Sequence, residues 1–226
     1  IQLEGLRKVG DPNEMAINYY KAGIDEIVFM DAVASLYDRN NLFDVISQAC
    51  KHVFVPIAVG GGLRNLDDVA MALDAGADKV IVNTAAVRKI SFITQIANKY
   101  GSQCIVGSIE AKKRPNKWEA FISNGRDETG LDVVVWAQEL QRAGVGEILL
   151  TSVDKEGTGK GFDVELVEAV QEATTCPIIV SGGFGKLADL DELFSVTVPS
   201  GVAFGSALHN KKNTVADLQQ ASLIQR

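Results

Sequence analysis

Short apolar runs alternate along the chain with longer segments in which apolar residues recur every three or four positions. The apolar runs predict seven strands, at residues 26–31, 56–60, 79–83, 103–110, 147–152, 177–181 and 202–205. The periodic segments predict helices at residues 11–22, 42–52, 66–75, 92–100, 131–142, 164–173 and 187–194. Because strands alternate with helices, the pattern predicts an α/β fold with a parallel sheet.

The chain also repeats itself with a shift of 121 residues. This shift places the segment that begins at Gly23 on the one that begins at Gly144, and the segment that begins at Pro56 on the one that begins at Pro177. A period this long corresponds to a half-domain of several βα units. Residues 104–121 have no counterpart in the first copy, so we expect the chain to begin inside its first βα unit.

The strand that the repeat requires would bring the number of βα units to eight. Eight such units predict a single (β/α)8 TIM barrel over residues 1–226, with half-barrels at about 1–103 and 104–226. A doubly wound open sheet is the structural alternative. The twofold repeat weighs against it, because such a sheet has one ligand-binding switch point and not two equivalent ones.

Composition narrows the classes of partner and site. A formal net charge of −7 argues against nucleic acid as a ligand. Three widely spaced cysteines (Cys50, Cys104 and Cys176) do not suggest a disulfide framework and fit a reducing cytoplasm. No apolar run approaches about 18 residues, so no membrane span is predicted. His52 and His209 do not have the spacing of metal ligands, and we expect no metal site.

Glycine-rich turns follow equivalent strands in the two copies. Gly60-Gly61-Gly62 ends one predicted strand and Gly182-Gly183 ends its counterpart, while Asn83-Thr84 and Gly205-Ser206 end the strands that follow. Glycines let backbone N–H groups approach a phosphate, and a helix that follows favours negative charge. One such turn is more often only a tight connection, but two symmetric pairs predict a ligand with two phosphate ends.

Carboxylates near the ends of predicted strands form a second group of candidate site residues, for proton transfer. Glu110 ends a predicted strand, as does Asp31, and Asp154 and Glu156 follow another strand. A carboxyl group there can transfer protons if its surroundings move its pKa toward neutrality. For Asp31 and Asp154 a helix cap or loop hydrogen bond is an equally good interpretation.

Three charged residues, Glu26, Lys79 and Glu147, lie at the starts of predicted strands. From their spacing alone we interpret them as solvated or stabilising residues, because this end of a barrel is usually not catalytic.

Several motifs together resemble the cyclase subunit of imidazole glycerol phosphate synthase. They occur in family order over nearly the whole chain: Gly10-Asp11-Pro12, Asp25-Glu26-Ile27-Val28-Phe29-Met30-Asp31, Val59-Gly60-Gly61-Gly62, Gly76-Ala77-Asp78-Lys79-Val80, Asn83-Thr84-Ala85-Ala86, Gly146-Glu147-Ile148-Leu149-Leu150-Thr151-Ser152 and Ser181-Gly182-Gly183. The resemblance implies a (β/α)8-barrel lyase of histidine biosynthesis that needs no cofactor. It also implies a heterodimer with a glutaminase subunit, whose ammonia passes through the barrel to a bisphosphate ribotide. That substrate is cleaved and cyclised to imidazole glycerol phosphate and aminoimidazole carboxamide ribotide.

The resemblance also assigns roles to individual residues. The phosphate-binding positions of the family correspond to Gly62, Asn83, Thr84, Gly183 and Ser206, and Gly205 belongs to the same turn as Ser206. Glu26, Lys79 and Glu147 correspond to a charged gate at the ammonia entrance, and Asp78 corresponds to a position that meets the glutaminase. For these charged residues the resemblance replaces the interpretation based on spacing.

Two departures from the family pattern concern catalysis. The family uses two aspartates as general acid and base; the first would lie upstream of residue 1, and Glu110 takes the place of the second. Glu156 likewise stands where the family has an aspartate. These changes keep open a paralogue that amidates a nucleotide-linked sugar for surface polysaccharide. A related two-phosphate ribotide isomerase and a non-catalytic scaffold for the glutaminase are further alternatives.

Overall fold

The computed structural model describes residues 10–31 and 42–223. Its strands are β1 (Ile27–Met30), β2 (Ile57–Gly60), β3 (Lys79–Val82), β4 (Ile105–Arg114), β5 (Lys117–Ile122), β6 (Asp127–Asp132), β7 (Glu147–Ser152), β8 (Ile178–Ser181) and β9 (Gly201–Ala203). Its helices are α1 (Pro12–Lys21), α2 (Leu42–Ala49), α3 (Leu66–Asp74), α4 (Thr84–Arg88), α5 (Ser91–Tyr100), α6 (Val133–Ala143), α7 (Val164–Ala173), α8 (Ala188–Val196), α9 (Ser206–His209) and α10 (Val215–Leu223). A short 3-10 turn at Ser102–Cys104 precedes β4.

Side-chain caps fix the starts of several helices. Asp11 accepts hydrogen bonds from the backbone N–H groups at the start of α1, and Pro12 occupies the first helical position, where no N–H is needed. Asn65 caps α3 and Asp163 caps α7 in the same way. The caps explain why these helices begin within one or two residues of their predicted starts.

The described residues fall into two compact units. One unit comprises Gly10–Gly107 and Ala143–Gly146, and the other comprises Ser108–Arg142 together with residues 147–223. The chain passes from the first unit to the second within β4.

The first unit contains a parallel sheet in the order β1-β2-β3-β4. Each strand pairs with the next along the chain, and helices connect them, as expected for βα units. Ile46 and Ala49 of α2 are fully buried in an apolar cluster that includes Val59 of β2.

In the second unit the order is β4-β7-β8-β9, with parallel pairing of β7 to β8 and of β8 to β9. The end of β4 pairs antiparallel with β5, which pairs antiparallel with β6. The turn between β5 and β6 has three consecutive residues with positive φ, Ser123 (56°), Asn124 (61°) and Gly125 (71°). Glycine adopts positive φ without strain and asparagine does so fairly readily, so the cost of this turn falls mainly on Ser123.

The sequence repeat is present in the strand pairing. Ile27 pairs with Ile57 in the first unit, and Ile148 pairs with Ile178 in the second, so both members of the pair shift by 121. The next pair differs: Ala58 pairs with Lys79, whereas Ile179 pairs with Gly201. The second copy therefore has one additional residue before its last strand, and equivalent positions after that point are 122 apart.

The alternation of strands and helices predicted from the sequence is confirmed, including all seven predicted strands and all seven predicted helices. Three helices, α4, α9 and α10, were not predicted. Two of these have only five and four residues, too few to show helical periodicity. Among the described residues, none of the helices is long and apolar enough to cross a membrane.

Candidate active site

In the first unit, the residues predicted to bind phosphate follow two neighbouring strands. Gly61 and Gly62 come directly after β2, and Asn83 and Thr84 come directly after β3. Because β2 and β3 are paired and parallel, with Gly60 opposite Ile81, both turns lie at the same edge of the sheet. The structure thus brings Gly62, Asn83 and Thr84 to one edge, as predicted.

The conformation of the first turn requires glycine. Gly61 has a φ of 99° and Gly62 a φ of 73°, in the region that other residues rarely adopt. A side chain at Gly61 would overlap the backbone carbonyl of Asp31 at the end of β1. The turn is therefore held against the neighbouring strand end, and the backbone itself forms its surface.

The second unit repeats this arrangement. Gly182 and Gly183 follow β8 with φ values of 90° and 108°, and Gly205 and Ser206 follow β9, the parallel neighbour of β8. A Cβ atom at Gly182 would lie 2.9 Å from the carbonyl oxygen of Ser152, at the end of β7. The second group of predicted phosphate-binding residues is thus also assembled at one sheet edge.

The turns after the last strand of each copy share an uncommon backbone conformation. Asn83 has φ −123° and ψ −84°, and Gly205 has φ −107° and ψ −86°. Asn83 is thus the counterpart of Gly205, and Thr84 is the counterpart of Ser206. Each copy presents one double-glycine turn and one turn that leads into a short helix.

Glu110 is a half-buried residue of β4. Its Oε2 atom accepts a hydrogen bond of 2.8 Å from the backbone N–H of Gly125, in the positive-φ turn between β5 and β6. A Cβ atom at Gly125 would lie 2.9 Å from Cγ1 of Val153, and the N–H of Val153 donates to the carbonyl of Ala111 at 2.8 Å. The turn of the hairpin is thus packed onto the strand that carries Glu110.

Glu156 lies in the loop after β7. Burial raises the pKa of its carboxyl group, and no described residue donates a hydrogen bond to that carboxylate. Its Oε2 atom lies close to the Cα of Gly182, because a Cβ atom there would be 3.1 Å away. The structure therefore places Glu156 beside the second glycine turn, with a carboxyl group suited to hold a proton nearer to neutral pH than an exposed glutamate.

A further carboxylate of this unit, Asp163, was not predicted as a site residue. Its Oδ2 atom accepts hydrogen bonds from Nε1 of Trp118 (3.1 Å) and from Oγ of Ser152 (3.2 Å), while Oδ1 caps α7. The side chain of Asp154 accepts from the N–H of Lys113 at 2.7 Å. Asp154 is thus a loop hydrogen-bond acceptor, which was one of its two interpretations, and Asp163 joins the hairpin, β7 and α7.

Two of the three residues predicted to form a charged gate meet in the first unit. Nζ of Lys79, at the start of β3, lies 2.8 Å from Oε2 of Glu26, just before β1. The other carboxylate oxygen of Glu26 is buried and has no hydrogen-bond partner among the described residues. The pair is largely shielded, with side-chain exposures of 16% for Lys79 and 26% for Glu26.

The third, Glu147, begins β7 in the second unit. Burial, with a smaller contribution from Glu147, raises the pKa of the Cys176 thiol to about 11. The Cys176 thiol is therefore neutral at physiological pH.

Asp78, the position predicted to meet a partner, is exposed and has a role within its own unit. Its Oδ2 atom accepts a 2.8 Å hydrogen bond from the N–H of Ile57, and its own N–H donates to the carbonyl of Ile57. The residue thus fixes the start of β3 against β2. Among residues 10–31 and 42–223 there is no group of three or more side chains suited to hold a metal ion.

The sequence matches known proteins over most of its length. The sequence model of a family described as "Histidine biosynthesis protein" matches residues 2–214. A relative from Legionella pneumophila named "Imidazole glycerol phosphate synthase subunit HisF" is 53% identical over 192 residues, or 84% of this chain and 91% of the relative. Relatives of the same name from Prochlorococcus marinus (strain NATL1A) and Myxococcus xanthus (strain DK1622) are each 42% identical, over 97% of this chain and 87% of the relative. The chain therefore belongs to the histidine biosynthesis protein family.

Proposed function

We propose that this chain is the cyclase subunit of an imidazole glycerol phosphate synthase, a lyase of histidine biosynthesis. Curated relatives at 42–53% identity carry the name of that subunit, and the chain spans 87–91% of their length. In this reaction ammonia is joined to a bisphosphate ribotide, which is cleaved and cyclised to imidazole glycerol phosphate and aminoimidazole carboxamide ribotide.

The observation that carries this proposal is the pair of matching glycine turns. Gly61-Gly62 and Gly182-Gly183 follow equivalent strands with positive φ throughout, and each lies beside a second turn on the neighbouring strand. Backbone N–H groups exposed at such turns bind phosphate oxygens well. Two similar sites suit a substrate that carries a phosphate at each end, with Gly62, Asn83 and Thr84 at one end. Gly183, Gly205 and Ser206 would hold the other.

Two carboxylates of the second unit can share the proton transfers. Glu110 acts as the base, positioned by the hydrogen bond that its Oε2 atom accepts from the N–H of Gly125. Glu156 acts as the acid, because burial raises its pKa and favours the protonated form. Carboxyl groups held in unlike surroundings commonly divide acid and base work in this way.

In this proposal a glutaminase subunit supplies the ammonia within a cytoplasmic heterodimer. The names of the relatives describe each as one subunit of a synthase. The Glu26–Lys79 ion pair lies at the amino ends of β1 and β3, opposite to the glycine turns, where a gate for ammonia would be. Glu147 begins β7, and Asp78, which would face the partner, immediately precedes β3. Both residues therefore also lie at the amino ends of strands, as the ion pair does.

The proposal is tested by assaying the intact protein with the bisphosphate ribotide, first with ammonium salts and then with glutamine and the glutaminase subunit. We expect turnover in both assays. An enzyme that binds the ribotide yet shows no ammonia-dependent product would contradict the assignment. Turnover with ammonia but none with glutamine would support the proposed reaction and contradict the proposed glutaminase partner.

One observation favours a second candidate, amidation of a nucleotide-linked sugar by a paralogue with the same fold. Both proposed proton-transfer groups are glutamates, Glu110 and Glu156, at positions where the resemblance leads us to expect aspartates. An additional methylene moves the carboxyl group by about an ångström or more, a displacement that can alter catalysis strongly. Expression of the chain in a histidine auxotroph that lacks the cyclase subunit separates the two candidates, because only the first restores growth.

A further inference from the structure

A carboxylate on the helix after each double-glycine turn is hydrogen-bonded back to the chain just beyond the turn. In the first unit, Oδ2 of Asp68 on α3 accepts a 2.8 Å hydrogen bond from the N–H of Arg64. In the second unit, Oδ2 of Asp189 on α8 accepts a 2.8 Å hydrogen bond from the N–H of Gly185. Both members of the pair are related by the 121-residue shift, so the same contact occurs twice.

The contact constrains the chain only two residues beyond Gly62 and Gly183. The N–H groups of these two glycines have no hydrogen-bond acceptor among the described residues, which leaves them available for a ligand. The N–H group two residues after each glycine is already bonded to an aspartate. The turn therefore cannot rotate to point its glycine N–H groups elsewhere without breaking that hydrogen bond. Each aspartate therefore restrains the direction in which the glycine N–H groups point.

Among the residues that the structure describes, more hydrogen bonds restrain the second turn than the first. Asp189 is only 5% exposed and accepts a second hydrogen bond of 3.0 Å from the N–H of Lys186. The carbonyl of Gly183 also accepts a hydrogen bond of 2.9 Å from the N–H of Gly161.

Aromatic packing adds to this restraint. The ring of Phe184, the residue after Gly183, packs between those of Phe162 and Phe204, with centroids 6.2 and 4.9 Å away. The equivalent residue of the first unit is the aliphatic Leu63.

We propose that Asp68 and Asp189 are positioning residues for the two phosphate turns, and that Asp189 maintains the more completely preformed of the two. This inference rests on the proposed function, in which both turns bind phosphate. A preformed turn loses less conformational freedom when the anion binds. Loss of Asp189 should therefore weaken binding at its own turn more than loss of Asp68 weakens binding at the other.

The charge of the aspartates and their positioning role predict opposite changes in phosphate affinity when the aspartate is removed, which gives a sharp test. An aspartate that acted only through its charge would repel a phosphate, so its removal would tighten phosphate binding. An aspartate that positions the turn stabilises binding, and its removal weakens it. Asparagine separates the two effects further, since it removes the charge but keeps an oxygen that accepts the same N–H groups.

The experiment titrates inorganic phosphate into the full chain and follows the amide resonances of Gly62 and Gly183 by NMR. For Asp189→Ala we expect about tenfold weaker binding at Gly183, and for Asp68→Ala about threefold weaker binding at Gly62, as for loss of one or two hydrogen bonds. Asp189→Asn should bind at least as tightly as the natural protein. Glu192→Gln on α8 and Asp67→Asn on α3 are matched controls that remove one charge from the same helix, and neither should weaken binding.

Unchanged or tighter binding in Asp189→Ala, with normal binding in the natural protein, would overturn the inference while leaving the phosphate sites intact. Absence of phosphate binding at both turns of the natural protein would instead reject the proposed function, and the inference with it. If Asp189→Ala does not fold, Asp68→Ala at the more exposed turn gives the same contrast, with Asp68→Asn as its conservative partner.

Discussion

The backbone N–H of Gly125 donates a 2.8 Å hydrogen bond to Oε2 of Glu110. The donor belongs to the turn between β5 and β6, and the acceptor belongs to β4, so a hairpin attached to the βα units contacts the proposed base directly. The contact depends on a backbone conformation with a φ of 71°, which glycine adopts without strain. Geometry at Glu110 is thus set partly by residues that take no part in proton transfer.

We therefore predict that Gly125→Ala lowers kcat by about tenfold or more, because catalysis is sensitive to small displacements of a reacting group. The added methyl group would lie 2.9 Å from Cγ1 of Val153 and would push the turn away from Glu110. Steady-state kinetics with ammonia would measure the loss.

Two variants serve as comparisons for this prediction. Gly130→Ala places the same strained conformation in the same hairpin, at a φ of 74°, with no atom within 4 Å of the new Cβ. It should leave kcat nearly unchanged. Combining Gly125→Ala with Val153→Ala makes room for the methyl group and should restore part of the activity; equal losses in all three proteins would contradict our explanation.

Replacing the proposed base gives a second prediction. Glu110→Gln should lower kcat by about 10²–10⁴-fold, the usual contribution of a positioned proton-transfer group. The amide keeps an oxygen that can accept from Gly125, so the thermal midpoint of unfolding should change little. Ammonia-dependent turnover and calorimetry measure the two quantities, and full activity in this variant would exclude Glu110 as the base.

The third prediction concerns Glu156 and the pH dependence of the free energy of unfolding. Burial raises the pKa of this carboxyl group, so the folded protein retains a proton that the unfolded chain has already released. Stability of the natural protein should therefore fall as pH rises from the ordinary glutamate range to the raised pKa. Glu156→Gln lacks this loss, so its stability relative to the natural protein should increase over the same interval.

Chemical denaturation at a series of pH values measures this difference. Glu165 provides the opposite case, because a hydrogen bond from Lys113 lowers the pKa of its exposed carboxyl group. Glu165→Gln should show no gain in relative stability as pH rises. If the two variants follow the same pH dependence, burial of Glu156 is not the cause.

The fourth prediction concerns the ion pair between Lys79 and Glu26. Lys79→Met removes the partner of a carboxylate whose other oxygen is buried and has no hydrogen-bond partner in the described part of the chain, and should destabilise the protein by about 1–3 kcal/mol. The double variant Glu26→Gln/Lys79→Met should recover part of this loss, because it also removes the uncompensated charge. Urea unfolding of the natural protein and the variants gives the coupling, and a double variant less stable than Lys79→Met would contradict the argument.

Much of the fold could be predicted from the sequence because the pattern repeats. The α/β fold of the (β/α)8-barrel class with a twofold repeat is confirmed by the family of the chain and by the repeated strand registers. The step from a 121- to a 122-residue shift could not be located, since the last strand pair matches too weakly in sequence. The short helices after Asn83 and Gly205 were also beyond the pattern, because one turn of helix shows no periodicity.

The positions of the candidate site residues could be predicted to different degrees, for a physical reason. Gly62 and Gly183 were expected at one edge because parallel strands bring their carboxyl ends together, whereas Glu110 was expected at the end of a strand and lies within β4. Contacts made through the hairpin could not be predicted, since Asn124-Gly125 signals a tight turn but does not tell which strand residue the turn contacts. Asp68 and Asp189 did have a signal, because both lie at the 121-residue shift, but their partners are backbone groups.

The additional residue of the second copy lies between Leu193 of α8 and Gly201 of β9. The buried residues Val69 and Ala72 still match Leu190 and Leu193 at the 121-residue shift, whereas the strand that follows is displaced by one. After a duplication, the helix-to-strand connection could thus change in length, while the strand-to-helix connection, which carries the ligand turn, kept its length. Recombination of the two halves should be tolerated best when the exchange points fall in such entering segments, where neither ligand turn is cut.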